Sequence, residues 1–178
     1  MSGRAALSLA AALAIGACAG APPPREAAAP GLPRSISAVR LDPAEALVDL
    51  DAYRANFGLA PVRIDPALSA MAQRQAAAMV AANQMSHDVK GSFSSRLAAS
   101  GIAAGEAGEN LGAGYRSVAQ AMDGWRRSPE HDANLRLPRV TRFGIALAKD
   151  PSTDYGVYWA MVIAADAPPV GGAYLLAH

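Results

Sequence analysis

From Asp42 to Trp125 the apolar residues of this chain recur at helical spacing, and from Phe143 onward they alternate or run together. Asp42-Pro43-Ala44-Glu45 opens the first helical stretch. Asp42 can cap, Pro43 fits the first helical position, and Glu45 completes a pattern like a capping box. Leu47, Leu50, Tyr53 and Phe57 then mark one buried face, and Gly58 closes the helix. Asp65-Pro66 repeats the start signal. Leu68, Met71, Ala72, Ala76, Met79 and Val80 carry the stripe of a longer second helix that ends near Asn83, with the methionines read as core filler. Ser92 starts a short third helix through Leu97, ended by Gly101. Ser117 and Gln120 open a fourth, on which Val118, Ala121, Met122 and Trp125 share a face and which Pro129 is expected to stop.

The last third reads as strands. Phe143, Ile145 and Leu147 alternate, a turn-rich link from Lys149 to Asp154 follows, and Tyr155 to Ala165 is apolar on both faces. Val157, Trp159, Met161 and Ile163 fall on one side of that run; Tyr158, Ala160, Val162 and Ala164 fall on the other. A strand apolar on both sides belongs inside a sheet covered by helices. Helices first and strands last make the fold class α+β, with an antiparallel pair at the end.

The N-terminus reads as an export signal over residues 1–18. Arg4 supplies the positive start, and Ala5 to Ala14 is apolar except for Ser8. That run falls short of the roughly 20 residues a membrane-spanning helix needs. Ile15-Gly16-Ala17-Cys18 resembles a lipobox, which makes Cys18 the expected lipidation site. Residues 19–41, rich in proline and alanine, are expected to form a tether, 42–167 the folded domain, and 168–178 a loose tail.

Charge narrows the function classes. Charged residues make up 17% of the chain and the formal net charge is +1. Basic residues are neither in excess nor clustered, so a nucleic-acid partner is not expected. Cleavage before Cys18 removes Arg4 and no acid, which leaves a neutral mature chain. With no other cysteine, the domain has no internal disulfide and depends on core packing.

The candidate chemistry lies in three stretches read as loops: Met85-Ser86-His87, Gly108-Glu109-Asn110, and Ser128 to Leu135 with His131. Glu109 sits among Gly105, Gly108, Gly112 and Gly114, where glycine permits close backbone approach. No Gly-x-Ser-x-Gly elbow is present, and the adjacent Ser86 and His87 do not make a productive dyad.

Taken in order, Met85-Ser86-His87, Gly108-Glu109-Asn110-Leu111, Gly124-Trp125, Ser128-Pro129-x-His131-x-Ala133-Asn134-Leu135, Phe143-Gly144-Ile145-Ala146 and Tyr155-Gly156-x-Tyr158-Trp159 resemble the CAP superfamily. The likeness is to its bacterial secreted, SCP-like branch and covers about residues 44 to 165. It implies an α-β-α sandwich with a central antiparallel sheet flanked by helices. It also implies a surface cleft lined by two histidines and two glutamates. His87, Glu109 and His131 match three of those places. The fourth, after the helix tryptophan, holds Arg126-Arg127-Ser128 and no acid, and Glu130 beside His131 is a poor substitute.

Two readings of function follow, with a third beside them. In the first, the domain is a binding module of the cell envelope, periplasmic or outer-membrane when lipid-anchored and otherwise secreted. Its ligand is a lipid, glycan or protein, and its cleft is formed by His87, Glu109, Asn110 and His131. His87 and His131 could hold a weak, exchangeable zinc ion (Zn2+), with water completing the tetrahedron. In the second it is a metal-assisted hydrolase, peptidase-like, with Glu109 as catalytic general base. In the third the His/Glu cluster is hydrogen-bonded scaffolding of a structural envelope protein.

Overall fold

The computed structural model describes residues 35–166. The expected signal with Cys18, most of the expected tether and the tail from 168 lie outside the described residues.

Five α-helices and four strands follow one another along the described chain: α1 (Pro43–Ala55), β1 (Arg63–Ile64), α2 (Pro66–Ala82), α3 (Phe93–Ala99), β2 (Ala107–Ala113), α4 (Val118–Arg126), α5 (Pro129–Leu135), β3 (Arg142–Lys149) and β4 (Val157–Ala164). The capping side chains act as read. Asp42 Oδ1 accepts from the Ala44 N–H, and Asp65 Oδ1 accepts from Ala67 and Leu68. Each satisfies amides that a helix start leaves unpaired. Ser92 and Ser117 cap α3 and α4 in the same way. Among the described residues no helix is long and apolar enough to cross a membrane.

The strands form one sheet in the order β1-β3-β4-β2. β4 pairs antiparallel with both neighbours, while the short β1 runs parallel to β3. All eight residues of β4 are buried. Its two faces divide the core as the alternation predicts. Val157, Trp159, Met161 and Ile163 pack with Leu50, Met122, Trp125 and Phe143 beneath α1 and α4. Tyr158, Ala160, Val162 and Ala164 pack with Leu68, Met71, Ala76 and Met79 of α2. The result is an α-β-α sandwich with α2 and α3 in one outer layer and α1, α4 and α5 in the other.

The α2 layer lies very close to the sheet. A Cβ added to Gly144 of β3 would sit 2.1 Å from the Ser69 amide nitrogen and 2.3 Å from the Leu68 carbonyl carbon. Both are backbone atoms, so no side-chain rotation could make room.

Four expectations change. The stretch around Glu109, read as a glycine-rich loop, is strand β2. Glycine hides its strand character, because Gly108 and Gly112 serve close packing rather than turning. A Cβ on Gly108 would lie 2.6 Å from Asn134 Oδ1, and one on Gly112 the same distance from the Tyr115 ring. Second, Pro129 does more than stop α4. Ser128 is the N-cap and Pro129 the first residue of α5, so His131 is helical. Third, Phe57 is 47% exposed and packs edge-on against Tyr53, 5.1 Å between centroids. The buried face of α1 carries Ala46, Leu50 and Arg54 instead. Fourth, residues 36–41, assigned to the tether, pack against the domain. Val39 is fully buried, and Lys149 Nζ donates to the Val39 carbonyl at 2.9 Å.

Trp125 is 1% exposed, and its Nε1–H donates to the Leu111 carbonyl of β2 at 2.8 Å. Trp125→Ala is expected to cost about 3–5 kcal/mol in denaturant melts by cavity formation. A loss below about 1 kcal/mol would mean that the site collapses freely and that Trp125 does not hold the layer together.

Candidate functional site

The site is built at the edge of the sheet. β2 is an edge strand, and its side chains alternate between the two outer layers. Leu111 packs with the α2 core, so Glu109, two residues before it, faces the same layer; Asn110 faces α5. Consecutive residues of one strand thus reach both sides of the sandwich.

On the first side, α2 ends at Asn83 in a left-handed conformation, φ 47° and ψ 43°. Asn83 Oδ1 accepts from the Tyr158 hydroxyl and from the Asp154 N–H, both at 2.9 Å, and this fixes where the chain leaves the helix. Gln75 Nε2 then holds the Ser86 carbonyl at 2.8 Å. The following His87 donates from Nδ1 to Glu109 Oε1 at 2.7 Å. Glu109 is 5% exposed, and a carboxylate so buried needs a cation. Arg96 of α3 supplies it in a bidentate pair, with one guanidinium nitrogen on each carboxylate oxygen at 2.8 Å. The same guanidinium donates to the His87 carbonyl at 2.9 Å and the Gly91 carbonyl at 3.0 Å. Arg96 therefore ties α3, the turn carrying His87 and strand β2 into one unit.

On the second side, Asn110 is fully buried. Its Nδ2 donates to the His131 carbonyl at 3.0 Å, and its Oδ1 accepts from Asn134 Nδ2 at 2.9 Å. Asn134 Nδ2 also reaches the Glu109 carbonyl at 3.1 Å. His131 Nδ1 is hydrogen-bonded to Ser128 Oγ at 2.9 Å. Asn110, expected to line the cleft, is instead fully buried and anchors α5 to the edge strand.

The electrostatics split the two histidines. The hydrogen bond to Glu109 raises the His87 pKa above its ordinary 6.5, against the opposing effect of burial. Burial lowers the His131 pKa, and the positive charge of His87 lowers it further. Burial alone would raise the Glu109 pKa, but the hydrogen bonds from His87 and Arg96 hold it below its ordinary 4.5. In both rings Nδ1 is engaged internally. Among the described residues neither Nε2 has a hydrogen-bond partner, so that atom is the one each ring has left for a ligand.

This donor set falls short of a resident zinc site. Structural and catalytic zinc take three or four protein ligands. Among the described residues no group of three or more histidines, cysteines or carboxylates could hold a metal ion. Glu109 is closed on both oxygens, and the nearest counter-charge is an arginine. The arginines that stand where a second glutamate was sought point elsewhere. Arg126 bonds Asp49 of α1 at 2.6 Å and stacks over the Tyr53 ring, and Arg127 pairs with Asp123.

Sequence reasoning found His87, Glu109 and His131 and missed Arg96. Arg96 stands in the last turn of a short helix with no motif around it. The signal available was indirect: a glutamate in an apolar strand requires a cation, and the cations lie elsewhere in the chain.

The pattern of the cysteine-rich secretory protein family, CAP, matches residues 49–163. The Bacillus subtilis (strain 168) protein described as uncharacterized protein YkwD is 29% identical over 123 residues, 67% of this chain and 46% of that protein. The chain therefore spans about half the length of that relative. Among solved structures, an extracellular protein containing an SCP domain from Bacillus anthracis superposes with a TM-score of 0.60 at 22% identity, over 69% of this chain and 40% of that one. An outer surface protein from Borrelia burgdorferi gives 0.62 at 18% identity, over 71% of this chain and 96% of that one. Both structures share the α-β-α sandwich, and the family pattern runs from within α1 to within β4. The chain belongs to the cysteine-rich secretory protein (CAP) family, as a bacterial SCP-like domain.

Proposed function

We propose that the protein is an exported binding module of the cell envelope that recognises its ligand through His87 and His131 without resident metal or hydrolysis. One observation carries this reading: Glu109 is buried with both oxygens taken by Arg96 and His87. A general base needs a free lone pair within reach of its water and a pKa near working pH. The depressed, fully engaged carboxylate has neither. Its role is to favour the charged form of His87 and to hold the ring in place.

The cleft then offers two different groups. His87, half exposed and with its pKa raised by the hydrogen bond to Glu109, presents a cationic N–H when protonated. His131, with a lowered pKa, presents a neutral imidazole that donates or accepts. Such a pair suits an anionic group on an envelope lipid, glycan or protein. The scaffold reading keeps Asn110 and Asn134, whose amides serve the fold, but leaves the unpartnered Nε2 atoms of both histidines without a use.

Export rests on residues 1–18, and anchoring rests on Cys18. The similarity to proteins described as extracellular or outer-surface supports that placement.

Four measurements test the proposal. In a proton-NMR titration of the two imidazoles, His87 should titrate above 6.5 and His131 below it. A raised His87 pKa also means stability that is fully present below 6.5 and is lost as pH rises through the folded value, and His87→Gln should remove that slope. The reverse order of titration would remove the basis for a charged His87. Calorimetry with zinc should show no saturable site; one site lost in both His87→Ala and His131→Ala would restore the metal reading. Finally, the Cys18→Ser chain should still sediment with isolated envelopes. His87→Gln in that background should weaken sedimentation roughly tenfold, the loss of one charge-assisted hydrogen bond. Equal binding by both proteins would place the ligand elsewhere.

A further inference from the structure

Ser128 stands where a serine ordinarily caps a helix. It is the N-cap of α5, in an extended conformation with φ −102° and ψ 116°. A serine there usually turns its hydroxyl oxygen to the backbone N–H two or three residues on. Ser92 and Ser117 do this for α3 and α4, accepting from the Ser95 and Gln120 amides at 3.3 and 3.1 Å. Ser128 does not. Its side chain makes no cap hydrogen bond, and its Oγ lies 2.9 Å from Nδ1 of His131 instead. The chain gives up a contact that stabilises most helix starts and spends the hydroxyl on an imidazole.

The ring is thereby held at two points. Asn110 Nδ2 fixes the His131 carbonyl at 3.0 Å, and Ser128 fixes the Nδ1 edge of the ring. Nε2 is the nitrogen left over.

The surroundings also set the direction of the Ser128 bond. Burial, and then the charge of His87, lower the His131 pKa, so at neutral pH the ring is mainly neutral and carries one proton. The first amides of α5 have no acceptor within the helix and carry partial positive charge. They attract the lone pairs of Ser128 Oγ and turn its hydrogen away from them, toward Nδ1. Were Nδ1 the donor, the hydroxyl hydrogen would need another acceptor, and no described residue supplies one. Ser128 therefore donates, Nδ1 accepts, and the single ring proton sits on Nε2.

We infer that Ser128 is a positioning residue that holds neutral His131 as an Nε2–H donor in the ligand cleft proposed above, on which the inference rests. His87 donates its Nδ1–H to Glu109, so in its protonated form Nε2 carries a hydrogen as well. The two histidines then offer two N–H donors and no acceptor. They select a group with two acceptor oxygens, a carboxylate or a phosphate, and disfavour an ammonium or an amide N–H.

Long-range proton–nitrogen NMR on the full chain, well above pH 6.5, reads which ring nitrogen of His131 is protonated. The wild type should show a protonated Nε2 and a bare Nδ1. Ser128→Ala should raise the minor form, protonated at Nδ1, about fivefold, the loss of one hydrogen bond. Ser128→Thr keeps the hydroxyl and should restore the wild-type pattern. A residue that only starts the helix would leave the tautomers where they are. These spectra need no ligand, so they stand or fall apart from the function of the cleft. Sedimentation with isolated envelopes, in the Cys18→Ser background, then reads that function. Ser128→Ala should bind about fivefold more weakly, and Ser128→Thr like its parent. Circular dichroism confirms that each variant is folded. A protonated Nδ1 in the wild type, or a tautomer balance that Ser128→Ala leaves unmoved, would overturn the inference. Moved tautomers with unchanged sedimentation would overturn the selection of acceptor oxygens. A Cys18→Ser parent that does not sediment at all would defeat the binding-module reading and leave the tautomer assignment to the spectra.

Discussion

A carboxylate buried at a sheet edge imposes the main constraint on this molecule. Glu109 cannot remain charged at 5% exposure without a cation, and burying it unpaired would cost several kcal/mol. Arg96 meets that demand from α3, a helix of seven residues too short to be stable alone. The dependence runs in both directions. Glu109 needs α3 in place to be charged, and α3 is held to the sheet by the pair. His87 is positioned by the same carboxylate, and its turn is fixed by the same guanidinium. The outward face of the site is therefore only as well ordered as this buried ion pair.

The opposite layer solves a related problem with backbone carbonyls in place of a paired carboxylate. Arg54 of α1 is fully buried, and burial works against its charge, partly offset by Asp51. Its guanidinium donates to backbone carbonyls of Ala60, Leu135 and Leu137, at 2.8–3.0 Å. Those carbonyls lie after α1 and at the end of α5, where a chain leaving a helix has acceptors to satisfy. Arg54 thus fastens the segment that carries His131, as Arg96 fastens the one that carries His87. The edge strand joins the two systems through Glu109 on one face and Asn110 on the other.

These two arginines mark where sequence reasoning stops. Asp42, Asp65, Ser92 and Ser117 were legible as caps because a cap acts within three residues of itself. The two faces of β4 were legible because strand alternation is strict and all eight residues are apolar. The histidines and Glu109 were found through motif order. Strand β2 was hidden because its glycines answer to Asn134 and Tyr115, which lie outside the strand. α5 was hidden because a proline that ends one helix can begin the next. Arg54 and Arg96 make contacts 81 and 13 residues away, and nothing local distinguishes them from solvated surface charges.

The missing second acid takes on a different meaning in this setting. With His87 protonated, the group of Arg96, His87 and Glu109 carries two positive charges against one negative. A further carboxylate would neutralise it. Arg126, Arg127 and Ser128 stand at that place instead; the arginines are spent on Asp49 and Asp123, and Ser128 binds His131. While His87 is protonated, that group therefore keeps one net positive charge. A groove between α2 and α3 is lined by Arg74, Lys90 and Arg96, whereas one between α1 and α4 is lined by Asp42, Glu45, Asp49 and Asp123. In a chain whose formal charge is only +1, that separation is a property of the faces and not of the composition. The α2–α3 side thus presents basic groups and the α1–α4 side acidic ones, a division that the near-neutral total conceals.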